Sequence, residues 1–243
     1  MENKLLKLSN TLLRSNQLKL LSIAKEKKGV FLDLGCSNGQ FSLEFATKVG
    51  AKEIYGVDIN ELALAEAQKK GITVVKADLN NKIPLPSSFF NIILSNQTME
   101  HLINPDNLLE EIHRLLKPDG YLYISVPNLC SLHNRLFILL GWQPTCISPS
   151  RKHLLKIPVF GYVGGGREHL TAFSPLAFKQ MLNLYGFRII EYYGSSFYPF
   201  RGGLGEFLSR FFPNLSVFQI AVAIKCQKEN IMKNDGYRTT NKR

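Results

Sequence analysis

Apolar residues along the chain fall into short unbroken runs, separated by segments of helical spacing and ended by acidic or turn-forming residues. After an amphipathic stretch predicted as a helix over 5–25, Val30-Phe31-Leu32 reads as a buried strand that stops at Asp33 and a glycine-containing turn. A helix is predicted over 39–49, a second strand over 54–57 ending at Asp58, and an Ala- and Leu-rich helix over 61–70. A third strand over 72–76 runs into Ala77-Asp78. A fourth strand is predicted over 90–95, a helix over 106–116 closed by Lys117-Pro118-Asp119-Gly120, and a fifth strand over 121–126 closed by Pro127. Strands that are apolar on both faces and alternate with helices belong to a parallel sheet covered on both sides.

The alternation then breaks for about forty residues, 128–170, a connection too long to be ordinary and therefore read as functional or capping. This insertion holds a Pro/Ser-rich stretch and the run Gly164-Gly165-Gly166. Regularity returns with a helix over 174–185, with Ser174 as its N-cap, Pro175 in its first turn and Gly186 beyond its end. Strands are predicted over 187–193 and 217–226. The loop between them contains Gly202, Gly203 and Gly205 and marks no helix, so the two strands are expected to pair antiparallel at one edge. The resulting division is a helical segment at 1–28, an α/β domain at 29–226 with an insertion at about 129–170, and a polar tail at 227–243, expected to be loose.

A length of 243 residues, 45% hydrophobic and 20% charged, suits one large globular domain and disfavours long disorder or a multidomain array. The net charge of +11 invites a nucleic-acid or membrane reading until its distribution is examined. Residues 1–28 carry 7 basic and 2 acidic side chains and residues 225–243 carry 6 and 2, so the stretch between them is nearly balanced. Within it, 29–128 is acidic (8 basic, 12 acidic), whereas the insertion 129–170 carries five basic residues against Glu168. Cys36, Cys130, Cys146 and Cys226 form no CxxC or Cys/His spacing, so no disulfide framework or metal site is expected, and a reducing, cytoplasmic setting is. No secretory leader and no run of roughly 18 apolar residues is found, so no bilayer crossing is expected.

In an open α/β sheet, ligands bind beyond the carboxyl ends of the strands. Polar residues cluster there: Asp33 through Gly39, Asp58, Asp78, and Asn96 through His101. A dinucleotide fingerprint would require G-x-G-x-x-G, but here the glycines are Gly35 and Gly39 and a carboxylate precedes them, which repels pyrophosphate and suits an ammonium-bearing ligand. Asp58 is placed to receive ribose hydroxyls, and Asp78 an adenine amino group.

These segments resemble the class I S-adenosylmethionine-dependent methyltransferases, in particular the type 11 or UbiE/UbiG-like small-molecule group. The resemblance rests on VFLDLGCSNGQFS (30–42), IYGVDIN (54–60), KADLN (76–80), the stretch from NIILSNQTMEHL to YISVPN (91–128), and HLTAFSPLAFKQMLNLYGF (169–187). It implies a Rossmann-like, seven-stranded, mostly parallel sheet with helices on both faces and the last strand antiparallel. It also implies S-adenosylmethionine as cofactor, leaving as S-adenosylhomocysteine. The cofactor would be held by Asp33, Gly35, Cys36, Ser37, Asn38 and Gly39 at the methionine portion, Asp58 at the ribose, and Asp78 with Leu79 at the adenine, with Ile59 as a further cofactor-binding residue. Asn96 and Gln97 would line the methyl-donor side. The family commonly has Gly where Ser37 stands. Arg14 would either meet the cofactor carboxylate or stand as an unattached surface residue.

Methyl transfer from a sulfonium is an in-line displacement governed by alignment, and a hydroxyl acceptor profits from a positioned base. His101, in the "EH" position of this group, and His169 are the candidate catalytic residues; capping of the following helix is the competing role for His101. Glu100 would orient His101 or remain a solvated acid. His113 is read as structural or surface, and no metal is expected. Among the aromatics Phe137, Trp142, Phe160, Tyr162 and Phe173, each is read as core in preference to an acceptor pocket. Strand four lacks the N/D-P-P-Y element of nucleobase or glutamine amine methylation, and no Pro-Cys nucleophile follows it. The expected reaction is O-methylation of a small-molecule, glycan or lipid-linked acceptor. The basic insertion suits an anionic acceptor or is simply a solvated surface. Leu136–Trp142 (LFILLGW) resembles an interfacial membrane helix or packs internally. The competing readings are an RNA-binding or RNA-modifying protein that uses its basic ends, and an inactive cofactor-binding scaffold.

Overall fold

A computed structural model describes residues 2–153, 155–157, 161–163, 168–200 and 202–226. The polar tail 227–243, Phe160, the Gly164–Gly166 run, Arg167 and the side chain of Tyr162 lie outside the described residues. Along the chain run α1 (Glu2–Ile23), β1 (Gly29–Leu34), α2 (Gln40–Val49), β2 (Ala51–Asp58), α3 (Glu61–Lys69), β3 (Thr73–Lys76) and β4 (Phe90–Asn96). After a short 3-10 turn, Met99–His101, come α4 (Pro105–Leu115), β5 (Leu116–Pro127) and α5 (Leu132–Leu139). A two-stranded hairpin, β6 (Leu155–Ile157) and β7 (Gly161–Val163), precedes α6 (Pro175–Leu184), β8 (Phe187–Ser195), α7 (Gly202–Phe211) and β9 (Phe218–Lys225).

Seven strands form one sheet in the order β3-β2-β1-β4-β5-β9-β8. The first five pair in parallel, and β9 runs antiparallel to both β5 and β8, as the resemblance implies. The order reverses between β1 and β4, so a crevice is expected beyond their carboxyl ends. Helix starts follow the local chemistry. Asn60, Asn104 and Ser174 accept backbone N–H groups at the heads of α3, α4 and α6, and Pro105 and Pro175 follow the latter two caps.

Two cores sandwich the sheet. On one face Leu20 of α1 and Phe45, Ala46 and Val49 of α2 pack on Phe31, Leu94 and Tyr123. On the other, Leu108, Leu109 and Ile112 of α4 and Phe178 and Leu182 of α6 pack on Leu32, Ile93 and Ile124.

The pattern reading needs correction in two places. The expected turn at 117–120 is the leading part of β5, where Leu116 pairs with Phe90 ahead of a register shift between Phe90 and Ile92. The expected glycine loop at 202–205 begins a ten-residue helix, α7, packed beside β8. Gly205 is there for close packing rather than flexibility, since a Cβ on it would sit 2.8 Å from the Phe200 carbonyl oxygen.

Phe45 is fully buried, its ring 5.7 Å from Phe31, 6.0 Å from Phe41 and 5.1 Å from Tyr123. Phe45→Ala is expected to cost roughly 3–5 kcal/mol in denaturant unfolding, because the rigid sheet beneath cannot collapse into the cavity.

Candidate active site

The turn after β1 is held closed by backbone bonds. Gly35 and Cys36 both donate to the Val57 carbonyl of β2, and Gly39 donates to Cys36. Gly35 has φ +84°, and a Cβ there would lie 2.4 Å from Thr98 Oγ1, itself bonded to the Leu34 carbonyl at 3.0 Å. Ser37 also takes a left-handed conformation, φ 49°. That accounts for the family's usual glycine at this position, and it shows serine reaching the same geometry.

Asp33 is buried, its Oδ2 accepting from Ser42 Oγ at 2.6 Å. Burial, reinforced by nearby Asp58 and only partly offset by Ser42, pushes its carboxyl up to about 7. Asp58 latches two loops: Oδ2 accepts from Ser37 N and Oδ1 from Asn60 N, both at 2.9 Å. Each oxygen retains a second lone pair for a ligand. Burial first, then Asp33 and Asp58, push the Cys36 thiol up to about 12, so it is no nucleophile. Among the described residues no Lys or Arg pairs with either aspartate. Lys70 Nζ donates to the Asn38 carbonyl of the turn at 2.7 Å, but the two aspartates themselves stay without an ion-pair partner, which fits a ligand bearing ammonium and sulfonium charge. Ile59, 63% exposed beside Asp58, offers a flat apolar surface to a ring.

Asp78 is spent more heavily on its own turn, accepting from Asn80 N, Asn80 Nδ2 and Asn81 Nδ2 at 2.8–3.0 Å. Leu79 beside it is buried. Asn96 and Gln97 join a network that the sequence did not reveal. Fully buried Asn16 of α1 donates to Asn96 Oδ1 and Ser125 Oγ, and Gln97 Nε2 donates to the same serine. Helix α1 is thereby fastened over the strand ends. Arg14 is not unattached: it ion-pairs with Glu44 of α2 at 2.8 Å.

Three groups expected from the resemblance meet just past β4. The rings of His101 and His169 stand edge to face, 4.8 Å between centroids. His101 Nδ1 lies 3.1 Å from the Glu168 carbonyl and His169 Nδ1 2.7 Å from the Cys146 carbonyl. A carbonyl only accepts, so each Nδ1 donates and each neutral ring keeps its lone pair on Nε2. Burial holds His169 below the usual imidazole range. Helix α4 is capped by Asn104, not by His101. Glu100 is not a solvated acid: it is 1% exposed, both carboxyl oxygens lack a hydrogen-bond partner, and burial pushes it up to about 8. Its backbone carbonyl accepts from Leu170 and Thr171, pinning the end of the insertion beside it.

The remaining candidates are structural. His113 Nε2 meets the Cys226 carbonyl at 3.1 Å and its ring packs on Phe187, while Phe137 and Phe173 are buried core. In the insertion, Arg135, Arg151, Lys152 and Lys156 are exposed.

A profile of the methyltransferase-domain family matches residues 8–192. A ubiquinone biosynthesis O-methyltransferase of Actinobacillus pleuropneumoniae is 28% identical over 52% of this chain and 58% of its own. A demethylmenaquinone methyltransferase of Lactobacillus johnsonii is 29% identical over 68% and 70% respectively. An S-adenosylmethionine-dependent methyltransferase structure from Mesorhizobium loti superposes with TM-score 0.57 at 22% identity, covering 86% of this chain and 96% of that one, which shows the shared fold. The chain spans about half the length of several of the curated relatives it matches.

Asp33 sets a pH dependence whose sign follows from its raised carboxyl. Between the ordinary aspartate value near 3.8 and about 7 the folded ligand-free chain keeps a proton that the unfolded chain has lost, so stability falls as pH rises through that window. Asp33→Asn is therefore expected to melt above the wild type at pH 8, with the difference shrinking toward pH 4. Equal melting shifts across that range would contradict it.

Proposed function

The chain belongs to the methyltransferase-domain family, whose enzymes use S-adenosylmethionine, and from that premise we propose that it methylates an oxygen of a small-molecule, glycan or lipid-linked acceptor. The observation that carries this reading is the meeting of His101 and His169 just past the end of β4, each with Nδ1 tied to a backbone carbonyl. The acidic turn fits the cofactor: Asp33 and Asp58 face its cationic portion, Asp58 retains acceptor capacity for ribose hydroxyls, and Ile59 backs the adenine. When bound, S-adenosylmethionine supplies an electrophilic methyl on a sulfonium.

The chain's own part is alignment and proton handling. Thr98 and Asp58 hold the turn, and the Asn16–Asn96–Ser125–Gln97 network sets the donor wall. An imidazole Nε2 takes the acceptor's hydroxyl proton as oxygen attacks carbon; exposed His101 is the more accessible of the two, with His169 beside it. The names of the two quinone-pathway relatives support an oxygen-bearing aromatic as the acceptor class, and the exposed basic residues of the insertion support one that carries negative charge.

No helix among the described residues is long and apolar enough to cross a membrane. Leu136, Leu139 and Leu140 of α5 and its end are 51–81% exposed, and Phe207, Phe211 and Phe212 of α7 and its end 52–59%, with Arg135 and Arg210 on the same helices. Apolar side chains beside arginines favour an anionic lipid surface, which would bring the enzyme to a lipid-linked acceptor.

Calorimetric titration is expected to show binding of S-adenosylmethionine and S-adenosylhomocysteine. Asp58→Ala should weaken both by about 10-fold or more, the loss of hydrogen bonds to a charged group. No binding to the wild type would defeat the reading, and binding without turnover on any hydroxyl acceptor would leave a scaffold. In sedimentation with phosphatidylglycerol-containing vesicles, the wild type should pellet and Leu139→Glu/Phe211→Glu should not. Equal behaviour of the two proteins would sink the membrane contact.

A further inference from the structure

We propose that Glu100, His101 and His169 form a binding site for a divalent transition-metal cation. One ligand atom from each of the three lies within 4.8 Å of the other two. Both imidazoles are oriented as a metal ligand needs. Each Nδ1 donates to a backbone carbonyl, which fixes the tautomer and the ring plane and leaves the Nε2 lone pair for coordination.

The independent observation is Glu100. Its carboxyl group is 1% exposed and neither oxygen has a hydrogen-bond partner, which leaves two buried polar atoms unsatisfied and open to a ligand. No Lys or Arg among the described residues pairs with it. Two imidazoles and one carboxylate suit zinc, manganese, cobalt or ferrous iron better than the hard, all-oxygen magnesium or calcium. Tetrahedral ligands at about 2.0–2.2 Å stand roughly 3.3–3.6 Å apart, so an ion would have to draw the three ligands inward, and exposed His101, at the expense of its Nδ1 bond, is the one with room to move.

Three protein ligands leave a position open for an oxygen of the acceptor. This role deepens the methyl-transfer reading and rests on it, whereas the cation site itself does not. With the cation bound both Nε2 lone pairs are engaged, so it takes the place of the imidazole base: coordination would lower the acceptor hydroxyl's proton affinity, as it does that of bound water, and the proton leaves to solvent. The resulting oxygen attacks the methyl carbon, the carbon–sulfur bond breaks with its electron pair going to sulfur, and the neutral thioether departs.

The test is titration of chelator-treated full-length protein with Co²⁺, read by its visible absorption bands. Expected is saturable binding of one ion per chain, weakened at least ~10-fold by Glu100→Gln, His101→Ala and His169→Ala and unchanged by His153→Ala. Circular dichroism of each variant reports folding, and exposed His101 can be replaced without touching the core. A wild type with no saturable bands, or His101→Ala binding like the wild type, would overturn the site. Titration of the same chelated protein with S-adenosylmethionine separates the two ideas: retained cofactor binding without Co²⁺ binding leaves the methyl-transfer reading standing alone.

Discussion

The architecture turns on the close approach of the β1–α2 turn to the end of β4. Gly35 lies so near Thr98 that no side chain fits between them, and the same stretch gives two amides to Val57 and a third to Asp58. The end of β1 is thereby tied to both sheet neighbours, β2 and β4, at the point where strand order reverses. Everything functional follows from that knot. It sets Asp33 inside the wall and Asp58 at its rim, and it starts the chain segment that carries Glu100 and His101. A looser turn would leave the same residues in the sequence without a common mouth.

Charge is partitioned along the chain. The acids lie on the strand-end side and the insertion's basic residues are exposed, so the chain's +11 describes no single surface. The acidic wall has a thermodynamic cost in the ligand-free state. Burial and mutual repulsion hold Asp33 well above its ordinary range, meaning that the free protein resists the ionised form that a cationic ligand would stabilise. Ligand affinity and apo stability are therefore set in opposition at one carboxylate, a trade-off expected wherever a site is built before its partner arrives.

Much of this was legible in the chain. Strand-end acids, the glycine spacing and apolar runs foretold the parallel sheet, because strands buried on both faces leave an unmistakable pattern. The rest was hidden for identifiable reasons. Glycines at 202–205 imitate a loop, yet α7 forms because Gly205 permits contact with the Phe200 backbone that any larger residue would block. Lys117 to Gly120 imitates a turn, yet pairing of Leu116 with Phe90 draws it into β5. Asn16 carried no signal, being one polar residue on an amphipathic helix, and its importance exists only through contacts with residues 80 and 109 positions away.

Glu100 shows the same limit from the opposite direction. Read in sequence beside His101, it is an ordinary acid next to a histidine, and its burial depends on the return of the chain at 170–171 to bond its carbonyl. That return also delivers His169 to His101, across 68 positions of sequence and an insertion with no periodic pattern of its own. The backbone bonds and the ring pair are thus one event: closing the insertion onto β4 desolvates the carboxylate and assembles two oriented imidazoles around it. Folding on its own gains nothing from burying a carboxyl group without partners, and the proton that burial makes it hold is the cost of the empty corner, so the arrangement makes physical sense when the corner has a further partner to hold.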